Sequence, residues 1–317
     1  MDHGGKVGAW GAVLALAAWG QAEAPPSVRA VQDPSGQVDV TEAGRPVLRY
    51  NHQTVQPPAG YLEKVSAGNR KYAVPRSDYI HPLYGLDGEA LTHDWSADHP
   101  HHRGIYWAWP EVDWGGRRGD LHALQHVFAR PAGQVRLTHE KGCAGIEAEN
   151  RWEWEDGTPI VREKAHLRVH PSGTHGRYVD LRFEFTALAD GVKVARRGTK
   201  HYGGLNIRLS AWKDVRLDRF ADPPGTGPRK AWSSATGAAA SLVVLEKAAN
   251  PDYPGDWITY RELPWFQPAF PAAGTRHELK KERPLVLEYR LWIRRAAATA
   301  DECAAAWKDY NRQEERP

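Results

Sequence analysis

The chain has few sulfur-containing residues, with only 2 cysteines and 1 methionine among 317 residues. Two cysteines allow at most one bridge, so a disulfide scaffold is excluded, and we expect Cys143 and Cys303 to be buried free thiols. An excess of one charge is also missing, since 42 Lys and Arg face 39 Asp and Glu. Because these charges are interspersed, we expect no nucleic-acid partner.

Long apolar runs are missing as well. The longest one, residues 7–19, is too short to cross a bilayer as a helix, which takes about 20 residues, so we expect no transmembrane segment after it. Lys6 precedes this run and small residues follow it up to Ala24, which is typical of a secretory signal. The sequence therefore predicts a signal peptide over residues 1–24 and a periplasmic or secreted protein. An N-terminal membrane anchor is the alternative.

Three common catalytic signatures are absent from the chain: Gly-x-Ser-x-Gly, His-Glu-x-x-His and Cys-x-x-Cys. Their absence argues against an α/β-hydrolase, a zincin and a thioredoxin-like protein. What the chain does contain is 14 Trp, 15 His, 30 Gly and 23 Pro. Frequent Gly and Pro between short segments are typical of an all-β protein.

Period-two alternation of apolar and polar residues predicts several half-buried antiparallel strands. It is clearest over residues 146–154, 179–185 and 285–293, and a turn at residues 43–45 separates two shorter strands. Near the C-terminus, Thr299-x-x-Glu302 is a capping box that predicts one amphipathic helix over residues 299–312.

Sheets with one apolar face must pack that face against another layer. The sequence therefore predicts an all-β fold, a large antiparallel β-sandwich formed by residues 25–317 as a single domain, with one C-terminal helix. A closed barrel is the alternative.

Titratable and aromatic side chains are concentrated in residues 93–114, where 4 of the 15 histidines fall within ten residues. Such a mixture indicates the floor of a pocket. Three interpretations compete. His99 and His101 could bind a divalent metal together with a distant histidine. Alternatively, a sugar could bind, with His102 and Arg103 donating to its hydroxyls and Trp107 or Trp109 stacking on its apolar face.

The third interpretation is purely structural: Asp98 caps a turn and pairs with Arg103, and the histidines bond to buried carbonyls. A second candidate segment is Lys200–Leu205, where paired glycines bring His201 and Tyr202 close to neighbouring atoms. We predict a sugar- or glycoside-processing enzyme without a required cofactor. Its predicted catalytic residues are His102, His201 and Asp98, and its predicted substrate-binding residues are His99, His101, Arg103, Trp107, Trp109, Glu111, Asp113 and Tyr202.

Two other functions stay open. One is a non-catalytic carbohydrate-binding protein that uses the same side chains. The other is an oxygenase or hydrolase that uses a divalent metal.

Five ordered motifs carry a resemblance to a known family: Tyr79–Tyr84, Leu91–Asp94, Asp98–Ile105, His201–Leu205 and Ala306–Tyr310. Over roughly residues 36–312 the chain resembles the bacterial PmoA-like family, labelled methane oxygenase PmoA. The label does not fit as an activity, because membrane-embedded methane monooxygenase subunits need spanning helices. The resemblance implies an exported β-rich protein whose build is similar to the mutarotase-like supersandwich. It also directs attention to His99, His101, His102, Arg103, His201 and Tyr202.

Overall fold

The computed structural model describes residues 1–4, 28–212, 214–218, 231–260 and 263–312. Most of the predicted signal peptide, residues 5–24, lies outside the described residues. The strands in chain order are β1 (Val28–Gln32), β2 (Val38–Glu42), β3 (Arg45–Asn51), β4 (Tyr79–Leu83), β5 (Ile105–Ala108), β6 (Glu111–Trp114), β7 (Arg117–Gly119), β8 (Val127–Glu140), β9 (Cys143–Trp154), β10 (Pro159–Val169), β11 (Arg177–Ala187), β12 (Lys193–Ala195), β13 (Gly204–Arg208), β14 (Arg216–Asp218), β15 (Trp232–Thr236), β16 (Ser241–Glu246), β17 (Asp256–Tyr260), β18 (Trp265–Ala269), β19 (His277–Glu278) and β20 (Leu285–Arg294).

These strands form three antiparallel sheets. The first has the order β1-β2-β3-β4-β5-β13-β18-β17, and the second has the order β14-β15-β16-β20-β11-β10-β9-β8. A smaller sheet, β19-β12-β6-β7, completes the set. The helices are α1 (Tyr61–Lys64) and α2 (Ala300–Arg312), with short 3-10 turns at Arg70–Tyr72 and Arg197–Thr199.

The two large sheets pack face to face around one apolar core. Trp107 of β5 shows how they meet, since its ring contacts Phe183 and Phe185 of β11 edge-on at centroid distances of 5.1 and 4.9 Å. The predicted alternation is confirmed on β9, where Ile146 and Trp152 point inward and Arg151 is exposed. This arrangement confirms the prediction of a large antiparallel β-sandwich.

The C-terminal helix is also confirmed. The Thr299 amide donates to Glu302 at 2.8 Å, and the Glu302 amide donates back to the Thr299 hydroxyl at 3.2 Å, which is the predicted capping box. Helix α2 buries Cys303, Ala306 and Tyr310 against the outer side of β16 and β20. Cys303 and Cys143 are both buried free thiols, as the sequence predicts. No helix among the described residues is long and apolar enough to span a membrane.

The first sheet positions the candidate site because its outer side is covered by loops. Ile105 and Trp107 of β5 point into the sandwich core, whereas Tyr106 points to the other side. On neighbouring β13, Leu205 and Ile207 likewise face the core. Residues 98–102, residues 120–126 and the segment before β13 close over this outer side.

Candidate functional site

The main cavity of the described residues lies on this outer side and has a volume of about 830 Å³. Four separate chain segments build it, residues 69–72, 98–102, 120–126 and 197–202, and β17 and β18 add Tyr260 and Trp265. Its wall includes the following side chains: Asn69, Tyr72, Asp98, His99, His101, His102, Arg118, Asp120, His122, Gln125, His126, Arg197, Tyr202, Tyr260, Leu263 and Trp265. The volume falls within the range of small-molecule sites, about 300–1,000 Å³.

The loop that carries most of the histidines is anchored by Arg103, whose side chain is fully buried. Its guanidinium forms an ion pair with Asp94, donates to the Tyr79 hydroxyl at 2.7 Å and lies 3.4 Å from the Trp95 ring centre. Gly104 then lets the chain enter β5, because its φ of +67° is left-handed and a Cβ there would lie 2.2 Å from the Ile80 carbonyl oxygen. Arg103 therefore shapes the loop from within the protein and does not line the cavity, so its predicted contact with substrate is corrected.

His101 and His102 project from this loop into the cavity, and their rings lie edge-to-face at 4.6 Å. His122, from the loop between β7 and β8, closes the group at ring distances of 4.7 Å from His101 and 5.1 Å from His102. One ring nitrogen from each of the three imidazoles lies within 4.8 Å of the other two. Two distant chain segments therefore deliver one compact cluster of imidazoles.

His122 is held on both its backbone and its ring. Arg76 donates to the carbonyl oxygens of Leu121 and His122 at 2.9 and 2.7 Å. The Tyr106 hydroxyl hydrogen-bonds to Nδ1 of His122 at 3.0 Å, and the two rings are stacked. The outward residue of β5 thus fixes the orientation of His122 and leaves Nε2 as the ring nitrogen for other partners.

Burial controls the charge of this cluster. It lowers the pKa of His101 to about 3, with help from His99 and nearby arginines. Burial also lowers the pKa values of His102 and His122 well below their ordinary value, and the neighbouring imidazoles act in the same direction. All three rings are therefore neutral at neutral pH, which argues against His102 as an acid that delivers a proton.

His99 is different, because it is partly exposed and has a carboxylate partner. Its Nδ1 lies 2.9 Å from Asp98 Oδ2. Burial acts in the opposite direction, but hydrogen bonds from Ser96 and His99 hold the pKa of Asp98 well below its ordinary value. Arg208 adds an ion pair with Asp98 at 3.6 Å. The ionised Asp98 therefore orients His99 at the wall of the cavity.

The predicted site residues divide into two groups. Asp98, His99, His101, His102 and Tyr202 line the cavity together. His201 does not line it, because its side chain is exposed one residue away. The prediction of His201 as a catalytic residue is therefore corrected, whereas its neighbour Tyr202 lines the cavity beside His122.

The two tryptophans predicted to stack on substrate are also corrected. Trp107 and Trp109 are 3% and 0% exposed and belong to the sandwich core. They stack on each other at 4.8 Å, and Trp109 donates its indole N–H to the Phe270 carbonyl oxygen. The physical reason is strand parity, since Trp107 shares the inward side of β5 with Ile105 and leaves Tyr106 to face the loops.

Glu111 and Asp113 of β6 do not reach the cavity either. Glu111 accepts hydrogen bonds from the Gly198 amide at 2.6 Å and from Arg276 at 2.6 Å. Asp113 binds Arg118 through both carboxylate oxygens and also pairs with Arg276. Both carboxylates are engaged in ion pairs, so their predicted contact with substrate is corrected. Asp113 instead positions Arg118, and Glu111 holds the 197–199 turn through the Gly198 amide.

The cavity residues that sequence reasoning missed include His122, Tyr260, Trp265 and Arg197. Trp265 stacks with His102 and with Tyr260 at centroid distances of 5.9 and 4.7 Å. Arg197 pairs with Asp120 and donates to the Tyr202 hydroxyl. His122 is a lone histidine without a flanking motif, so no local signal marks it.

The family model matches residues 37–308, which is most of the chain. The chain belongs to DUF6807, a family of unknown function. All of the cavity residues named above lie within the matched DUF6807 region. Comparison with curated proteins gives no match. The resemblance to the PmoA-like family stays a prediction.

Proposed function

We propose that the chain is an exported enzyme that processes a sugar or a glycoside in the cavity on the outer side of the first sheet. One observation carries the proposal: imidazoles from two distant loops, a carboxylate-oriented histidine and Tyr202 converge on one open cavity. Convergence of titratable groups from separate segments is what a site requires and a structural core does not. Export rests on the signal-like residues 1–24.

The sugar class is favoured by the wall of the cavity. Tyr72, Tyr202 and Tyr260 are partly exposed there, so each combines a flat apolar ring with a hydroxyl. Trp265 is only 2% exposed and already stacks with His102 and Tyr260, so it offers no free face. Arg118 adds a half-exposed guanidinium at the rim. Aromatic surface beside multiple donors matches a pyranose, which has C–H-rich faces and a rim of hydroxyls.

Proton transfer is assigned to His99 in place of His102 and His201. The carboxylate of Asp98 accepts a hydrogen bond from Nδ1–H of His99, which leaves the lone pair on Nε2. That nitrogen takes a proton from a substrate hydroxyl or a water. The oxygen that loses this proton bonds to the anomeric carbon while the bond from that carbon to the leaving oxygen breaks. The imidazolium is stabilised by the adjacent carboxylate and gives its proton to the leaving oxygen.

The test is a turnover screen with a library of sugars and glycosides, comparing the wild type with His99→Ala and His201→Ala. His201 is the matched control, because it is an exposed neighbour of the site that does not line the cavity. We expect His99→Ala to lower kcat by about 100-fold or more, the usual contribution of a general base. The His201→Ala variant should keep its wild-type rate.

Two results would contradict the proposal. Full activity of His99→Ala would remove the proton-transfer role. Sugar binding by calorimetry that depends on Tyr260 but is accompanied by no turnover would identify a carbohydrate-binding protein instead.

A further inference from the structure

The imidazole cluster of His101, His102 and His122 has buried nitrogens that no protein group satisfies. Among the described residues, Nδ1 of His101 and Nδ1 of His102 are buried and have no hydrogen-bond partner. A buried polar atom without a partner is destabilising, and such atoms in a native structure call for an explanation such as an ion or a water. Two such nitrogens in one cluster of neutral imidazoles are suited to bind a metal ion.

The geometry of the cluster fits a metal ion in number and spacing. Three imidazoles each offer one nitrogen, and these nitrogens lie within 4.8 Å of one another. Around a tetrahedral Zn²⁺ with Zn–N distances of ~2.0–2.1 Å, ligand nitrogens lie about 3.3 Å apart. The rings therefore need to close by about 1.5 Å or less, which small rotations about the side-chain bonds provide.

The surroundings of the cluster resemble the support that metal ligands receive in proteins. The Tyr106 hydroxyl hydrogen-bonds to Nδ1 of His122, which leaves Nε2 to ligate, and metal-bound histidines commonly engage their other nitrogen in this way. Arg76 fixes the His122 backbone, and Arg103 anchors the loop that carries His101 and His102. The three donors are thus positioned by separate buried anchors.

We propose that His101, His102 and His122 bind one divalent transition metal ion, with a fourth coordination position open to the cavity. An all-imidazole donor set suits Zn²⁺, Cu²⁺, Ni²⁺ or Fe²⁺ and not Mg²⁺ or Ca²⁺, which prefer oxygen ligands. Three protein ligands plus one open position is the arrangement of catalytic zinc sites. The predicted pair of His99 and His101 is thereby replaced, since His101 ligates with His102 and His122.

The catalytic part of this inference rests on the proposed function, whereas metal binding itself does not. A metal at this position would polarise a substrate oxygen or lower the pKa of a bound water. His99 stands next to the cluster, with its ring 4.8 Å from that of His102, so a proton released there has an acceptor within the same cavity.

Metal binding is measured on the untagged full chain after dialysis against a chelator. Zn²⁺ is titrated by calorimetry, and Co²⁺ is added as a spectroscopic probe whose visible absorption reports nitrogen coordination independently of activity. We expect one equivalent of Zn²⁺ to bind at submicromolar Kd, and Co²⁺ to give a tetrahedral or five-coordinate spectrum.

Variants locate the site. His122→Gln, which keeps much of the ring volume, should weaken Zn²⁺ binding by about 100-fold or more, and His101→Gln should do the same. Tyr106→Phe removes only the hydroxyl that positions His122 and should weaken binding by about 10- to 100-fold. His201→Ala is the matched control and should bind as the wild type does. Thermal melts of the metal-free variants show whether weaker binding comes from the loss of a metal ligand or from the loss of the fold.

The proposal is overturned if the wild type binds no Zn²⁺ at micromolar concentrations, or if His101→Gln and His122→Gln bind it as tightly as the wild type. Metal binding without turnover of any sugar would support the metal site and contradict the proposed function. Turnover by the metal-free protein in the presence of a chelator would support the proposed function and show that the reaction does not need the metal.

Discussion

Replacing Trp107 with alanine tests whether this residue belongs to the core or stacks on the substrate. The side chain is 3% exposed and contacts Trp109, Phe183, Phe185 and Tyr289. Deleting a buried Trp of this kind lowers the free energy of unfolding by about 3–5 kcal/mol, because both transfer energy and packing are lost. We therefore expect Trp107→Ala to be strongly destabilised.

Trp107→Phe should cost much less. Its ring keeps contacts across the sandwich, and the substitution removes an indole N–H that is buried without a partner among the described residues. We expect a loss below about 1.5 kcal/mol, in the range of conservative core replacements.

Urea unfolding followed by far-UV circular dichroism measures both variants. With an m-value of about 3 kcal/mol/M, the midpoint should fall by roughly 1–1.7 M for Trp107→Ala and by less than about 0.5 M for Trp107→Phe. Tyr260→Ala, at the cavity wall, should keep a near wild-type midpoint and lose sugar affinity. A Trp107→Ala protein with an unchanged midpoint but lost affinity would refute the core assignment.

Three further predictions concern stability and are measured by the same unfolding assay. Burial raises the pKa of Glu246 from its ordinary value of 4.5 to about 8, so the stability that its protonated form contributes is fully present below about pH 4.5 and is lost as the pH rises through 8. The free energy of unfolding of Glu246→Gln should therefore match that of the wild type near pH 5 and exceed it by a few kcal/mol near pH 9. A difference that does not change with pH would contradict this. Gly104→Ala should lower the free energy of unfolding far more than Gly116→Ala. Both positions have left-handed φ values, but only at Gly104 would the new Cβ collide with a backbone oxygen. Equal losses of stability in the two variants would show that the structure relieves this collision. Asp94→Ala should lower the free energy of unfolding by about 3–5 kcal/mol, because it leaves the buried Arg103 without its carboxylate partner. Asp87→Ala, at an exposed ion pair, should lower it by under about 1 kcal/mol, and similar losses in the two variants would contradict the role of Arg103 as a buried anchor.

The fold could be predicted from the sequence because its signals are local. Alternation over residues 146–154 and 285–293 specifies which side of each strand is buried, and Thr299 and Glu302 mark the start of the last helix within four residues. Strand order is not local in this sense. The pairing of β5 with β13, nearly 100 residues later, depends on packing that no short pattern records.

The candidate site was predictable only in part, for two physical reasons. The density of histidines in residues 99–102 marks a pocket, but partners such as His122 and Trp265 arrive from loops with no distinguishing motif. Strand parity was decisive for the tryptophans. Applying period two to β5 from Ile105 inward would have assigned Trp107 to the core and Tyr106 to the loops.

The two arginine anchors beneath the cavity have a consequence for ligand binding. Arg103 and Arg76 tie the loops of His101, His102 and His122 to β4 and β5 through buried contacts. The conformational entropy of these loops is lost when the protein folds, so little remains to be lost when a ligand enters. We therefore expect free and inhibitor-bound crystals to superpose in this region, which makes the ligand-free protein a usable template for inhibitor design.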